Sequence, residues 1–175
     1  MAPTALTISP YLAYSARSSA ANSSGVLTYG SSPPTRTFLL VPLATIAWEW
    51  ATGTLHVAPA FALVMLWGYL QYRLCGRYRI RLGGGGPGLS GAPPERLVES
   101  GVYAWMRNPM YLVHVIYMIG VALTFESWFA AVIAVARTVW FHFRVLRDER
   151  GLRERFGEPY VAYTRRVKRW LPGLF

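Results

Sequence analysis

Four apolar segments dominate the pattern of hydrophobic and polar positions along the chain. They cover residues 37–53, 58–74, 109–125 and 127–143. Their apolar residues are not confined to one helical stripe, as they would be in an amphipathic helix on a soluble protein. At about 1.5 Å per residue each segment reaches about 25 Å, slightly less than a ~30 Å hydrocarbon core. The pattern predicts an all-α integral membrane protein with about four transmembrane helices.

Two short turns and two long connections join these segments. Residues 54–57 and Glu126 form tight turns, which pair the segments into two helical hairpins. Six arginines lie in or beside the long connection from Cys75 to Asn108, and nine lysines or arginines follow from Arg144 onward, whereas neither tight turn contains any. By the positive-inside rule, both termini and the long connection are predicted to be cytosolic.

The region after the fourth segment is predicted to be helical without crossing the membrane. Its apolar side chains recur at spacings close to a helical turn and alternate with basic residues. These side chains are Leu152, Phe156, Tyr160, Tyr163, Val167 and Trp170. Gly157 and Pro159 are expected to divide the region into two short helices. We expect an amphipathic tail that lies at the membrane interface.

Composition outside the apolar segments indicates two flexible stretches. Residues 1–36 are rich in Ser, Ala, Thr and Pro and contain no acidic residue, so a flexible tail is predicted, with a short interfacial helix over residues 4–16 as an alternative. The glycine-rich run at residues 83–88 lacks the Gly-Lys-Ser/Thr ending of a phosphate loop, and a linker is expected there. A single membrane domain is predicted over residues 37–175, with a helical hairpin at 37–75, a linker at 76–93 and the candidate chemistry at 94–172.

The charge balance indicates which kind of binding partner to expect. The 175 residues include 18 Lys and Arg against 8 Asp and Glu, a formal net charge of +10. Because the basic residues flank apolar segments, the lipid bilayer is the expected partner and nucleic acid is not. The single cysteine excludes an internal disulfide, and the scattered positions of His56, His114 and His142 predict no metal site.

Arg137, Arg144 and Asp148 share one face of the fourth helix, at spacings of seven and four residues. Arg144 and Asp148 can form an ion pair along the helix. Arg137 lies about two turns deeper, where it either snorkels to the interface or meets a partner or bound anion. His142 is a candidate base or a histidine at the interface. Glu49, between two tryptophans, either marks an aromatic belt or is a functional intramembrane acid.

The third segment begins with Arg107, Asn108, Pro109, Met110 and Tyr111. Asn is a favourable N-cap and Pro suits the first helical position, so these residues are sufficient to start a helix. A helix N-terminus beside an arginine is also an anion site. If the third and fourth helices pack as a hairpin, this site would lie near Arg144 and Asp148.

Two ordered motifs resemble a known family. Residues 96–111 read RLVESGVYAWMRNPMY, and residues 148–172 contain Asp-Glu, then Leu152, Phe156-Gly157 and Tyr160. Together they resemble the isoprenylcysteine carboxyl methyltransferases and the wider group that includes phospholipid N-methyltransferases. The resemblance covers roughly residues 94–172.

This resemblance implies an integral-membrane methyltransferase that uses S-adenosylmethionine without a Rossmann domain, with its site at the cytosolic face. By position it implies that Arg144 contacts the acceptor, and Arg107 and His142 are retained as further catalytic candidates. The cofactor-binding residues that it implies are Leu97, Val98, Tyr103, Asn108, Pro109, Met110, Tyr111, Asp148 and Glu149. Three positions of this chain depart from the family pattern. Asn108 replaces a histidine, Asp148 shortens the first acid of the pair, and Val113 stands where glycine is frequent.

The acceptor stays open at this stage. A lipophilic acid such as an isoprenylcysteine is expected, because a carboxylate needs an orienting cation such as Arg144 and no base. A phospholipid amine is the alternative, and it would require a base such as His142. A non-catalytic membrane subunit on the same scaffold is a third reading. The Arg- and Gly-rich composition and the short N-terminal region suggest a multi-pass protein of a bacterial cytoplasmic membrane.

Overall fold

The computed structural model describes residues 33–84 and 94–170, whose regular secondary structure is helical with no strand among them. The helices are α1 (Pro33–Thr52), α2 (Ala62–Gly83), α3 (Pro109–Thr124), α4 (Trp128–Phe156) and α5 (Glu158–Arg166). Short 3₁₀ turns occupy Pro59–Phe61 and Gly101–Ala104. The predicted all-α class and a helix at each apolar segment are therefore confirmed. Residues 1–32 of the predicted tail, including the alternative helix at 4–16, and residues 85–93 of the predicted linker lie outside the described residues.

Three helices extend further than the hydrophobic pattern predicts. α1 begins at Pro33, so residues 33–36 of the predicted flexible tail are helical. α2 begins after the turn at Pro59–Phe61 and continues to Gly83, so residues 76–83 of the predicted linker are helical. α4 continues to Phe156, so the first of the two predicted short tail helices is part of α4. Arginine is a good helix former, and polar composition alone does not end a helix. The predicted break at Gly157 is confirmed: its φ of 59° is in the left-handed region, and its N–H donates to the Arg153 carbonyl.

α2 and α3 pack closely because a glycine on each helix faces the backbone of the other helix. A Cβ atom at Gly68 would lie 2.7 Å from the Tyr117 backbone nitrogen, and one at Gly120 would lie 2.5 Å from the Met65 backbone nitrogen. Small residues that allow such an approach are typical of helices packed in membranes. The core around this contact also includes residues of α1 and α4.

The outer surfaces of α1, α2 and α4 are strongly apolar. Exposed side chains there include Leu39, Leu43, Trp50, Leu63, Leu70, Trp128, Val132, Val135 and Phe143. Such surfaces are unusual for a soluble monomer and suit contact with lipid. Among the described helices, α4 is long and apolar enough to cross a membrane, and α3 is a shorter apolar helix. The count of four spans stays a prediction.

Glu49 is buried where the end of α1 meets the start of α4. It is 6% exposed, and its carboxylate accepts hydrogen bonds from the Ser127 hydroxyl at 2.5 Å and the Thr54 hydroxyl at 2.6 Å. Ser127 in turn caps α4 by accepting the Ala130 N–H. Glu49 therefore joins the two predicted hairpin turns.

The region after Gly157 packs on protein rather than presenting its apolar side chains outward. Tyr160, Tyr163 and Val167 are buried against Leu97, Leu152 and Phe156. The Tyr163 hydroxyl donates to the Tyr103 carbonyl at 2.7 Å. The apolar stripe that predicts a membrane-surface tail thus contacts the segment before α3 and the end of α4, which corrects that expectation for these three residues.

Candidate active site

A buried carboxylate near the end of α4 joins three parts of the sequence. Glu149 accepts hydrogen bonds from the Asn108 amide nitrogen at 3.0 Å and from Arg169, whose Nη2 lies 2.9 Å from Oε2. The Arg107 Nε lies 3.4 Å from Oε1 of the same carboxylate. The Arg107 and Glu149 side chains are each only 11% exposed. Glu149 therefore holds the start of α3 and the segment after α5 against α4.

The backbone reinforces this junction. The Arg107 N–H donates to the Lys168 carbonyl at 2.9 Å, and the Asn108 amide also donates to the Arg169 carbonyl at 3.3 Å. Asn108 occupies the N-cap position of α3, but its side chain does not cap the helix, because its amide is directed at Glu149 and Arg169. The predicted helix start at Asn108 and Pro109 is confirmed, and the cap interaction expected of Asn108 is not present.

The charges at this junction do not balance. Two guanidinium groups, of Arg107 and Arg169, face the single carboxylate of Glu149. The N-terminus of α3 adds the partial positive charge of its unpaired N–H groups. The start of α3 is therefore a cationic position that favours an anion.

Asp148 lies in a different environment from its neighbour Glu149. Its carboxylate accepts the Tyr111 hydroxyl at 2.5 Å and lies 3.8 Å from the Arg144 Nε. The Asp148 side chain is 40% exposed, against 11% for Glu149. The predicted pairing of Arg144 with Asp148 is confirmed as a contact. Asp148 can still accept a further donor from outside, whereas Glu149 is enclosed by protein donors.

Tyr103, in the segment before α3, contributes a buried hydroxyl. The residue is 7% exposed, and its hydroxyl has no hydrogen-bond partner among residues 33–84 and 94–170. Burial raises the pKa of the Tyr103 phenol, so it stays protonated and able to donate. Burial likewise raises the pKa of Tyr160 and Tyr163.

The structure separates the remaining candidate residues. Val98 and Met110 are buried, Met110 within the core that α2 and α3 share. Leu97 packs on the Tyr160 cluster. His142 is exposed, two residues from Arg144 and thus about 200° around the helix, so it lies away from the Tyr111–Asp148–Arg144 group. The cofactor and catalytic roles assigned to the candidate residues stay predictions.

Sequence reasoning missed Arg169 and Trp140. Arg169 and Asn108 both contact Glu149, but they lie 61 positions apart in the sequence. No local spacing could have indicated that they meet. Trp140 lies under two cations, with the Arg137 guanidinium carbon 4.9 Å and the Arg144 guanidinium carbon 5.4 Å from its ring centre. Its spacing of three and four residues from these arginines is a signal that was present in the sequence.

Comparisons with known proteins fall on this same region. Residues 88–159 match the family model described as phospholipid methyltransferase. The human protein-S-isoprenylcysteine O-methyltransferase is 40% identical over 78 residues, which cover 43% of this chain and 27% of the human protein. Protein-S-isoprenylcysteine O-methyltransferase B of Arabidopsis thaliana is 37% identical over 80 residues, which cover 45% of this chain and 40% of the plant protein. The matched segment is thus well under half of each relative, and the comparisons confirm the predicted resemblance.

Proposed function

We propose that this chain, whose residues 88–159 match the phospholipid methyltransferase family, is an integral-membrane methyltransferase that uses S-adenosylmethionine. We further propose that its acceptor is the carboxylate of a lipophilic molecule such as an isoprenylcysteine. One observation carries the proposal. Asp148, with Tyr111 and Arg144, is the neighbour in sequence of Glu149, which contacts the cationic start of α3, so an anionic and a cationic position lie side by side.

The chemical groups of S-adenosylmethionine fit the side chains at this place. Its ammonium group suits the Asp148 carboxylate, which is partly exposed and can take a further charge-assisted hydrogen bond. Its carboxylate suits the surplus positive charge of Arg107 and Arg169 at the start of α3. The Tyr103 hydroxyl, which has no hydrogen-bond partner among the described residues, is a donor for the polar atoms of S-adenosylmethionine. When bound, S-adenosylmethionine supplies an electrophilic methyl group on a positively charged sulfur.

Arg144 is proposed to orient the acceptor. Its guanidinium rests on Trp140 and near Asp148, at the boundary between the apolar part of α4 and its polar end. A carboxylate acceptor is already a nucleophile at neutral pH, so it requires alignment and a dry site and no proton transfer. Because Asp148 shares Arg144, the arginine need not hold the acceptor so tightly that it loses reactivity.

Phospholipid N-methylation is the second candidate, and the family description is what favours it. An amine acceptor must lose a proton before it reacts, and a base would have to accept that proton. His142, the base that the sequence offered, is exposed on another side of α4. This placement makes the carboxylate acceptor the better supported proposal.

The membrane arrangement is also proposed. α1 to α4 would cross the bilayer as two hairpins, with the Glu49 junction on the far side and the Glu149 junction at the cytosolic face. The apolar outer surfaces of α1, α2 and α4 support this orientation, as does the concentration of arginines beside the Glu149 junction. A lipophilic acceptor would then reach Arg144 laterally from the bilayer.

The test combines binding and turnover in lipid nanodiscs. Calorimetric titration with S-adenosylhomocysteine is performed on the wild type, on Asp148→Ala and on Glu154→Ala, which removes an exposed acid one to two turns further along α4. Transfer of labelled methyl from S-adenosylmethionine to N-acetyl-S-farnesylcysteine is measured in parallel with transfer to phosphatidylethanolamine vesicles.

We expect saturable binding in the wild type and in Glu154→Ala, and at least tenfold weaker binding in Asp148→Ala. Label should enter the base-labile ester of the farnesylcysteine. Label in the lipid headgroup instead would establish the second candidate. A folded wild type that binds no S-adenosylhomocysteine would contradict both and leave a non-catalytic membrane subunit.

A further inference from the structure

Arg137 lies in α4 with no acidic partner among the described residues. Its Nη2 donates to the Thr37 hydroxyl at 2.9 Å, and its guanidinium carbon lies 4.9 Å from the Trp140 ring and 5.4 Å from the Phe141 ring. Its Nε is buried and has no hydrogen-bond partner in the described part of the chain. No carboxylate of residues 33–84 or 94–170 lies within ion-pair distance of Arg137. A cation placed within an apolar segment without a counter-charge is costly, and it is a functional candidate for that reason.

His114 of α3 is a second unsatisfied polar group beside Arg137. It is 0% exposed, and neither ring nitrogen has a hydrogen-bond partner among the residues that the structure describes. Its ring contacts Phe141 at 5.0 Å and Phe38, the neighbour of Thr37, at 4.6 Å between ring centres. The Phe141 ring therefore touches both Arg137 and His114. Two polar groups without full partners thus converge on one place between α1, α3 and α4.

This place is continuous with the proposed reaction site. Trp140 lies under both guanidinium groups, 4.9 Å from Arg137 and 5.4 Å from Arg144. Arg137 and Arg144 are seven residues apart on one helix face, which separates them by about 10 Å along the axis. A line of cationic and aromatic groups therefore runs from Arg144 into the apolar part of the bundle.

We propose that Arg137 is a specificity-determining residue, and that the acceptor carries a second oxygen-bearing group, preferably anionic, about 10 Å from the group that is methylated. Arginine has only donors, so the second group must accept hydrogen bonds. The uncompensated charge of Arg137 makes an anion the best match. A purely hydrocarbon chain beyond the methylated carboxylate would supply no hydrogen-bond partner for Arg137 or His114. The inference rests on the proposed function and narrows its acceptor class: from isoprenylcysteines, whose prenyl chain is hydrocarbon, to lipophilic acids with polar groups at two depths.

The test compares two acids of equal chain length, decanoic acid and decanedioic acid, which differ in a second carboxylate at the far end. Methyl transfer to each acid is measured for the wild type, for Arg137→Met and for Arg147→Met in nanodiscs. Arg147 is exposed on the same helix and serves as the matched control. The ratio of the two kcat/KM values is compared between variants, because the difference in bilayer partitioning of the two acids is the same for every variant and cancels in that comparison.

We expect the ratio of kcat/KM for decanedioic acid to that for decanoic acid to be about ten- to a hundredfold higher in the wild type and in Arg147→Met than in Arg137→Met, as one charge-assisted hydrogen bond predicts. Arg137→Met should lose this preference while it retains S-adenosylhomocysteine binding and transfer to decanoic acid. Should Arg137→Met fail to fold, Arg137→Lys keeps the charge without the planar fork, and its preference should fall in part. An unchanged preference in a folded Arg137 variant would overturn the inference.

A binding measurement separates this inference from the proposed function. The shift in thermal unfolding midpoint is recorded for each acid with S-adenosylhomocysteine present. Stabilisation of the wild type by decanedioic acid, absent in Arg137→Met, would support the second polar subsite even if neither acid is methylated, in which case the proposed function is what fails. Methyl transfer with no Arg137-dependent difference in either measurement would leave the function standing and refute the subsite. No stabilisation and no transfer in the wild type would contradict the inference.

Discussion

Two buried glutamates differ in the groups around them. Glu49 of α1 lies beside the start of α4, and Glu149 lies near the end of α4. Glu49 receives two hydroxyl donors, one of which also caps α4, and no cation lies within ion-pair distance among the described residues. Glu149 receives an amide and two arginines, which leaves a surplus positive charge beside the start of α3. At the Glu49 end, neutral hydroxyls of the protein solvate one carboxylate, whereas at the Glu149 end two guanidinium groups share one carboxylate and leave positive charge that an anionic ligand can neutralise.

The largest effect is expected from Glu149→Ala. It leaves Arg107 and Arg169 facing each other without their shared carboxylate, and breaking a buried ion pair in this way costs about 3–5 kcal/mol. The free energy of unfolding in mixed micelles should fall by that amount, and the region after Gly157 should become sensitive to protease. Glu154→Ala, which removes an exposed acid, should change neither. Equal stability of the two variants would mean that Glu149 does not hold the three segments together.

Glu49→Ala should have a smaller effect, confined to the other end. The buried Ser127 hydroxyl loses its acceptor, which costs about 1–3 kcal/mol. Thr54 is exposed, so its hydroxyl can donate to water instead. We expect a lower free energy of unfolding and an unchanged affinity for S-adenosylhomocysteine. A large loss of that affinity would show that the two ends are coupled and that the contrast between them is wrong.

Gly120→Ala tests whether close packing of α2 and α3 supports both ends. Its Cβ would meet the Met65 backbone, which cannot move aside as a flexible side chain could, and the expected cost is about 1–3 kcal/mol. Gly151→Ala in α4 has open space around its Cβ, and it should stabilise the protein by about 0.5–1 kcal/mol through helix propensity. Thermal unfolding of the two variants should therefore shift in opposite directions.

The smallest effect is expected from Arg166→Ala. Arg166 is paired with Glu99 at 2.5 Å, but its side chain is 65% exposed, and exposed pairs contribute about 0–1 kcal/mol. A double-mutant cycle with Glu99→Ala should give a coupling energy in that range. A coupling as large as that between Glu149 and Arg169 would mean that the surface pair, too, holds the segments together.

The hydrophobic pattern predicted the helices well and their ends poorly. Apolar runs located α1 to α4, and Asn108 with Pro109 marked the start of α3 correctly. α2 and α4 continue into arginine-rich sequence, because helix propensity is retained after the apolar run has ended. The stripe of Tyr160, Tyr163 and Val167 was assigned to the membrane surface, since a period alone does not say which surface an apolar face meets.

The candidate site was predictable only where its contacts are local. Arg144 and Asp148 are four residues apart, and their contact follows from the helix. The pattern could not distinguish Asp148 from Glu149, because the difference depends on Arg169 and Asn108, which tertiary packing brings together. The Arg137–Thr37 contact spans 100 positions and depends likewise on packing between helices.

The position of Arg169 after α4 and α5 sets an order of assembly. Chains are synthesised from the N-terminus onward, so Arg107, Asn108 and Glu149 are all made before Arg169. Until Arg169 arrives, Glu149 has only one of its two cationic neighbours among the described residues, Arg107. Completion of the Glu149 junction therefore has to wait until the chain as far as Arg169 is free to fold back on α4.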